Sequence, residues 1–160
     1  MKILNYVLSV AGIVVILSAA PEQASLTEGF RKGDLAPGIA LAGGATFAND
    51  SGQYTLVHFW ATYDAYSRMQ NVRLWNSRKR NDQVKIISVS LDENESVFRE
   101  TLRTDGLEAA GQIQEKQGAH SATFRKYGLK RGLKNFLIDD RGVIVAVNVA
   151  HDRLQEQIKK

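Results

Sequence analysis

One stretch limits the possible folds more than any other. An apolar, β-prone run from Tyr54 to Trp60 passes within four residues into the segment Asp64–Arg80, whose polar and apolar residues mix at helical spacing, with Ala65, Met69 and Val72 on one face. A second strand follows, Val84–Leu91 (VKIISVSL), in which Ile86, Ile87, Val89 and Leu91 leave little room for a wet face. Alternation of this kind suits an α/β domain. Further on, Asn94–Arg103 reads as a helix with Asn94 or the neighbouring acids near its positive end. Ser121–Tyr127 reads as another, stopped by Gly128. Phe136–Ile138 and Val143–Val149 form a hairpin across Asp139-Asp140-Arg141-Gly142, and Asp152–Lys159 closes the chain as a helix with Leu154 and Ile158 inward. Upstream, Gly38–Leu41 reads as a short strand and Gly43-Gly44 as a turn. The main order is β-α-β-α-α-β-β-α.

At 160 residues, 44% of them apolar, the chain can build one sizeable core plus a short appendage. Lys and Arg total 21 against 17 acids, a formal +4, and the positive charges are scattered. That pattern describes a solvated surface and gives no nucleic-acid footprint. Cysteine is absent. This excludes structural disulfides, thiolate metal sites, thioether haem attachment and a lipid-acceptor cysteine. No cofactor motif replaces them, so no cofactor is expected. His120 and His151 are too isolated in sequence to argue for a metal site.

Residues 1–20 carry a single charge, Lys2, followed by the apolar run Tyr6–Ala20, which ends in the small residues Ser18, Ala19 and Ala20. This reads as a signal peptide or, if uncleaved, as an N-terminal membrane anchor. Pro21 just after the small residues leaves cleavage against retention open. Export to the periplasm or cell envelope is the expectation. Residues 21–32 are polar and without period and read as a linker, and 33–160 as the folded domain.

Three blocks and an opening segment in this domain resemble the TlpA/ResA-like thiol-disulfide oxidoreductases, a redoxin (AhpC/TSA-like) branch of the thioredoxin superfamily. Phe59-Trp60-Ala61-Thr62-Tyr63 followed by Asp64 and Ser67 matches the frame F-W-A-(S/T)-W-C-x-x-C; Val89-Ser90-Leu91-Asp92 matches a V-S-L-D strand end. Tyr127-Gly128-Leu129 with Asn135-Phe136-Leu137-Ile138-Asp139 and Gly142 matches a Y-G-I … P-T-N-F-L-I-D-x-x-G block, and Gly33-Asp34-Leu35-Ala36-Pro37 a G-x-x-A-P opening. The resemblance implies a thioredoxin-like fold, a central mixed β-sheet flanked by helices. It places Asp64 and Ser67 at the two thiol positions, Leu133 at a proline that is normally cis, and His58 where family members often carry Asp or Asn. A cis bond before leucine would cost about 3 kcal/mol, so a trans peptide and a reshaped loop are expected. Disulfide exchange needs a thiolate, which neither a carboxylate nor a hydroxyl replaces. The ancestral reaction is therefore expected to be lost.

Other roles remain for these side chains. Asp64 is expected to cap the following helix. A pair of Ser67 with His58, Asp64 supplying an acid, would be a start toward nucleophilic catalysis, but nothing marks an oxyanion site. The favoured explanation of His58 is a partly buried polar residue holding one hydrogen bond. Trp60 belongs to the core, whereas Tyr63 and Tyr66 flank the helix start as exposed aromatics. Asp92, Glu93 and Glu95 read as a solvated loop and helix cap. Lys126, Lys130, Arg131 and Lys134 give the former proline loop a basic rim, so the groove could accept an acidic or extended peptide. The expected role is a binding or scaffolding module for an envelope protein or peptide, with Tyr63, Tyr66 and Lys134 as binding residues. The competing reading keeps a part in envelope thiol chemistry through a partner's thiol, or gives the groove an unrelated reaction. A third is a structural envelope protein with a filled groove.

Overall fold

The computed structural model describes residues 26–39, 52–78 and 82–158. The apolar N-terminal segment, the Gly43-Gly44 turn, the second half of the strand expected at Gly38–Leu41 and the ends expected at Arg80 and Lys159 lie outside them. Gly38 and Ile39 carry no strand pairing.

Five strands form one sheet in the order β3-β2-β1-β4-β5. β1 (Tyr54–Trp60) is central, parallel to β2 (Val84–Ser90) and antiparallel to β4 (Asn135–Ile138). β3 (Gln112–Gln114) adds in parallel beyond β2, and β5 (Ile144–Val147) in antiparallel beyond β4. Because β1 and β2 run the same way, the chain must cross over between them. The crossover is α1 (Ala65–Ser77). The remaining helices are α2 (Glu95–Thr104), α3 (Ala122–Lys126) and α4 (Leu154–Ile158). No helix among the described residues is long and apolar enough to cross a membrane.

Successive side chains of a strand face opposite sides of its sheet, and β1 uses both. Val57 and Phe59 enter one cluster with Ile87, Val89, Tyr127, Phe136 and Ile144. Its centre is aromatic: Phe59 and Phe136 lie 4.8 and 5.0 Å from the Tyr127 ring. Leu56 enters the opposite cluster with Leu74, Leu137 and Leu154, and Trp60 packs with Trp75, Leu102 and Leu107. The alternation therefore sets His58 on the Leu56–Trp60 side, where α1 lies.

Local signals fix the element ends. Asn94 Oδ1 accepts from Ser96 N and Val97 N at the start of α2, and Ser121 Oγ from Phe124 N at the start of α3. Gly128 follows α3 at φ 60, the left-handed conformation that glycine takes without penalty. In the β4–β5 turn Asp139 Oδ1 accepts from Arg141 N and Val143 N.

From Thr27 on, the stretch read as a linker folds back on the domain. Leu35 N donates to Thr27 O, Gly29 N to Leu35 O, and Ile144 N to Asp34 O at 2.9 Å. This covers the outer side of β5, which would otherwise be an open sheet edge. The Tyr127 hydroxyl donates to Pro37 O at 2.6 Å and ties the segment to the aromatic cluster.

α1 corrects one expectation. Ala65 and Met69 are exposed and Val72 is half-buried, while Ser67, Asn71, Leu74, Trp75 and Ser77 face inward. The first two turns bury polar residues, so apolar spacing alone picks the wrong face. β3 is an element the sequence pattern did not suggest; its three residues are held by parallel pairing to β2 and by Ser88 N donating to Gly111 O.

Candidate functional site

β1 ends in a tight turn, Ala61–Asp64, that delivers the chain to α1. The turn is fastened from below by Asp92, which follows β2. Its carboxylate accepts from Thr62 N at 3.0 and 3.1 Å, from Thr62 Oγ1 at 2.8 Å and from Ser90 Oγ at 2.8 Å. Asp92 is 5% exposed. The expectation of a solvated loop acid is corrected here: the carboxylate is buried because it answers donors that would otherwise be stranded. Arg68 on α1 grips Asp105 beyond α2 with two bonds of 2.8 and 2.6 Å, the bidentate geometry that holds best.

At the helix start Asp64 Oδ1 accepts from Ser67 N at 2.9 Å, as an N-cap does. The Ser67 hydroxyl donates to Asp64 O at 3.1 Å and accepts from Ala61 N at 3.3 Å. His58 Nε2 lies 2.9 Å from the Ser67 carbonyl oxygen. The anticipated Ser67–His58 pair is therefore not formed: the imidazole meets the backbone of Ser67, and the hydroxyl's proton goes to Asp64 O. No base activates this serine, so the arrangement offers no nucleophile.

His58 is more deeply buried than expected, at 3% exposure. A carbonyl oxygen only accepts, so Nε2 carries the proton and Nδ1 is left as a lone-pair acceptor. Nδ1 is buried and has no hydrogen-bond partner. Burial pushes the pKa of His58 down from 6.5 to about 4, against the opposing pull of the Ser67 bond and the Asp64 charge, so the ring is neutral near pH 7.

Beside His58 lies a cavity of about 200 Å³ between the first turns of α1, the loop before β4 and the loop after β5. Its walls include Tyr66, Ser67 and Gln70 from α1, and Leu133 and Lys134 from the loop. Leu133 is half-buried and packs on the main cluster. All peptide bonds among the described residues are trans, and Lys134 O accepts from Phe59 N at 2.9 Å. Asn135, at the start of β4, clamps the far wall by donating to Val149 O at 2.9 Å and accepting from Val149 N at 2.7 Å.

The expected aromatic and basic rim is only partly assembled. Tyr66, 67% exposed, and Lys134 share the cavity. Tyr63, 72% exposed, faces a separate depression with Leu91, Asp92, Glu93 and Val97. Burial and then the acids Asp92, Asp64 and Glu93 raise the pKa of its phenol. Lys130 and Arg131 are exposed on the short turn before the loop and do not line the cavity. Among the described residues no group of three His, Asp or Glu side chains is placed to hold a metal ion. Sequence did not single out Gln70; Asp92 and Asn135 stood in matched blocks, Asp92 read as a solvated acid and Asn135 given no role at the site.

A mixed sheet with α1 crossing from the central strand to its parallel neighbour, the helix start at the sheet's end and the Leu133 loop beside it, defines a thioredoxin-like protein. The chain is similar to a thioredoxin-like protein from Parabacteroides distasonis, at 47% identity over 84% of this chain and 99% of that one, with a TM-score of 0.78. A putative thiol:disulfide interchange protein DsbE from Chlorobium tepidum matches at 25% identity over 81% of this chain and 96% of that one, TM-score 0.66. The thioredoxin domain of a thiol-disulfide oxidoreductase from Bacteroides vulgatus shares the fold at 22% identity, with the same coverage and a TM-score of 0.63. No family model and no curated protein matches the sequence. The chain belongs to the thioredoxin-like proteins, as a divergent member without cysteine, and its motifs resemble those of the TlpA/ResA-like thiol-disulfide oxidoreductases.

Proposed function

We propose that this protein is a cysteine-free thioredoxin-fold module that binds or scaffolds another protein through the former substrate face and carries no thiol-disulfide activity of its own. The observation that supports this most is the state of Asp64 and Ser67, the residues we assign to the two thiol positions. One is engaged as a helix cap and the other is tied into backbone hydrogen bonds. Both have structural work, and neither can carry out thiolate exchange. What remains available on that face is Tyr66 and Lys134, an exposed aromatic beside a cation, with Tyr63 on the adjoining surface. Aromatic anchors of this kind carry much of the energy of protein interfaces. An extended segment with acidic character is the partner we favour. The apolar segment before residue 21 leads us to place the protein in the envelope, exported or anchored by that segment.

The test is photo-cross-linking in the native envelope from a reactive group at Tyr66, followed by capture with the Tyr66→Ala/Lys134→Glu double variant. At least tenfold weaker capture with the fold intact is expected; unchanged capture moves the interface elsewhere. The same protein, supplied with a dithiol, should reduce a disulfide substrate no faster than the uncatalysed rate. Turnover that survives removal of contaminants would sink the non-redox reading.

A further inference from the structure

One charged face of the domain takes no part in the former substrate site. Leu26 and Phe30, 51% and 39% exposed, stand at the start of the described chain, on the segment that folds back over β5. The Phe30 ring lies on Gly128, where a Cβ would come 2.9 Å from its Cε2 and Cζ, so the bare glycine makes the seat. Beside it Lys126 Nζ bridges Glu28 Oε1 at 3.0 Å. These two contacts bring Arg31, next to Phe30, to the side of the domain that carries Lys130 and Arg131 just beyond Gly128. Cations far apart in sequence thus meet in the fold. Arg31, Lys130 and Arg131 are exposed and enter no ion pair among the described residues. Of the acids on the folded-back segment, Glu28 is answered by Lys126, and half-buried Asp34 accepts from Arg31 N at 2.8 Å. The face therefore carries a net positive charge around exposed apolar side chains, which fits an anionic counterpart. The preceding chain says which one. The apolar run ends at Ala20, six residues before Leu26, and six residues reach at most about 20 Å when fully extended. That is shorter than the ~35 Å breadth expected of a domain of this length. With the run held in a bilayer, the face that bears Leu26 is held near the headgroups. Apolar and aromatic side chains beside Lys and Arg suit that boundary, the former at the acyl edge and the latter against phosphates.

We propose that this face docks on a bilayer surface of anionic phospholipid, with Leu26 and Phe30 entering the headgroup layer and Arg31, Lys130 and Arg131 meeting lipid phosphates. Docked in this way, the domain stands against the membrane and does not swing on its tether. Resting on the anchored form of the envelope reading, this docking uses neither Tyr66 nor Lys134 and is independent of partner capture there.

The chain has no cysteine, so a single introduced one is a unique labelling site. Ala122→Cys is exposed on α3 one turn from Lys126, and Asn76→Cys is exposed on α1; α3 packs on the Tyr127 side of the sheet and α1 on the Leu74 side. Each takes a fluorophore. The full chain is reconstituted into vesicles of phosphatidylcholine alone, or of equal parts phosphatidylcholine and phosphatidylglycerol, both with a trace of headgroup spin-labelled lipid as quencher. In the anionic vesicles the label at 122 is expected to be quenched about threefold or more beyond the label at 76. The difference should vanish in phosphatidylcholine alone and in 1 M salt, where the screening length shrinks to about 3 Å. Arg31→Glu combined with Lys130→Glu and Arg131→Glu should abolish it, whereas Arg31→Lys with Arg131→Lys should keep it, because the face supplies charge. Should the reversed variant not fold, the lipid and salt comparisons on the labelled chains decide. Chain that floats with both kinds of vesicle but is quenched equally at 122 and 76 overturns the docking and leaves the anchor standing. Stronger quenching at 122 that is the same in neutral and anionic vesicles also overturns it, since the tether alone would then orient the domain. Chain that floats with neither overturns the anchor and the docking together.

Discussion

Asp64 and His58 each hold one hydrogen bond at the start of α1, and each has a definable cost if changed. Asp64 satisfies the N–H of Ser67 at the open end of α1. Asp64→Ala should therefore destabilise the domain by about 0.5–2 kcal/mol, with Asp64→Asn and Asp64→Ser close to neutral, in urea unfolding. A stable alanine variant that loses a biological activity would instead mark the carboxylate as chemically active. His58 predicts a pH dependence of definite sign. Above about 6.5 the ring is neutral in both folded and unfolded chains and contributes no slope. As pH falls from 6.5 toward about 4, the unfolded chain takes up a proton that the folded chain refuses, so stability falls; below about 4 both are protonated and the slope vanishes. The total is on the order of 3 kcal/mol. Urea midpoints between pH 7 and 4 measure it, and His58→Leu should flatten this part of the profile. A native profile without that decline would mean that the ring reaches solvent or a counter-charge when protonated.

Among the elements, those whose ends are marked by a single residue were legible in advance. Asn94, Ser121 and Gly128 stop or start helices by local hydrogen bonding or backbone conformation, which a sequence displays directly. β1 and β2 were equally plain because burial on both faces demands continuous apolar runs. β3 was not, since Gln112–Gln114 has no pattern of its own and owes its conformation to β2. The inward face of α1 was misread because Ser67 and Asn71 are buried polar residues: Asn71 pairs with Gln112 at 3.2 Å, a contact made only by tertiary structure. The same reason hid the role of Asp92, whose donors come from Thr62 beyond the end of β1 as well as from nearby Ser90. Removing its carboxylate strands several buried donors at about 1–3 kcal/mol each, so Asp92→Ala should cost about 3 kcal/mol or more, well beyond an ordinary surface change. Hydrogen exchange should show the Thr62 amide losing protection in a milder Asp92→Asn variant. Protection unchanged in that variant would mean that the turn is held by its own geometry and not by Asp92.

For the whole molecule, the sheet, its crossover and the aromatic cluster persist without either sulfur, because none of them depends on the residues at the helix start. If the frame is intact and positions 64 and 67 are, as we propose, the two thiol positions, cysteines placed there should return part of the chemistry. Positions 64 and 67 lie three residues apart at the start of α1, as neighbours on one helix face. The helix N-terminus there favours a thiolate. Asp64→Cys combined with Ser67→Cys should fold, at the expense of the Asp64 cap, and should close an intramolecular disulfide under mild oxidation, read as two thiols lost per chain without dimer. With a dithiol it should then reduce a disulfide substrate faster than the wild-type chain. Adding Leu133→Pro should raise that rate further if Leu133 stands, as the resemblance implies, where the family carries its proline. A folded double variant that yields only intermolecular disulfides would show that the start of α1 has itself drifted, and that loss of the reaction extends beyond the two side chains.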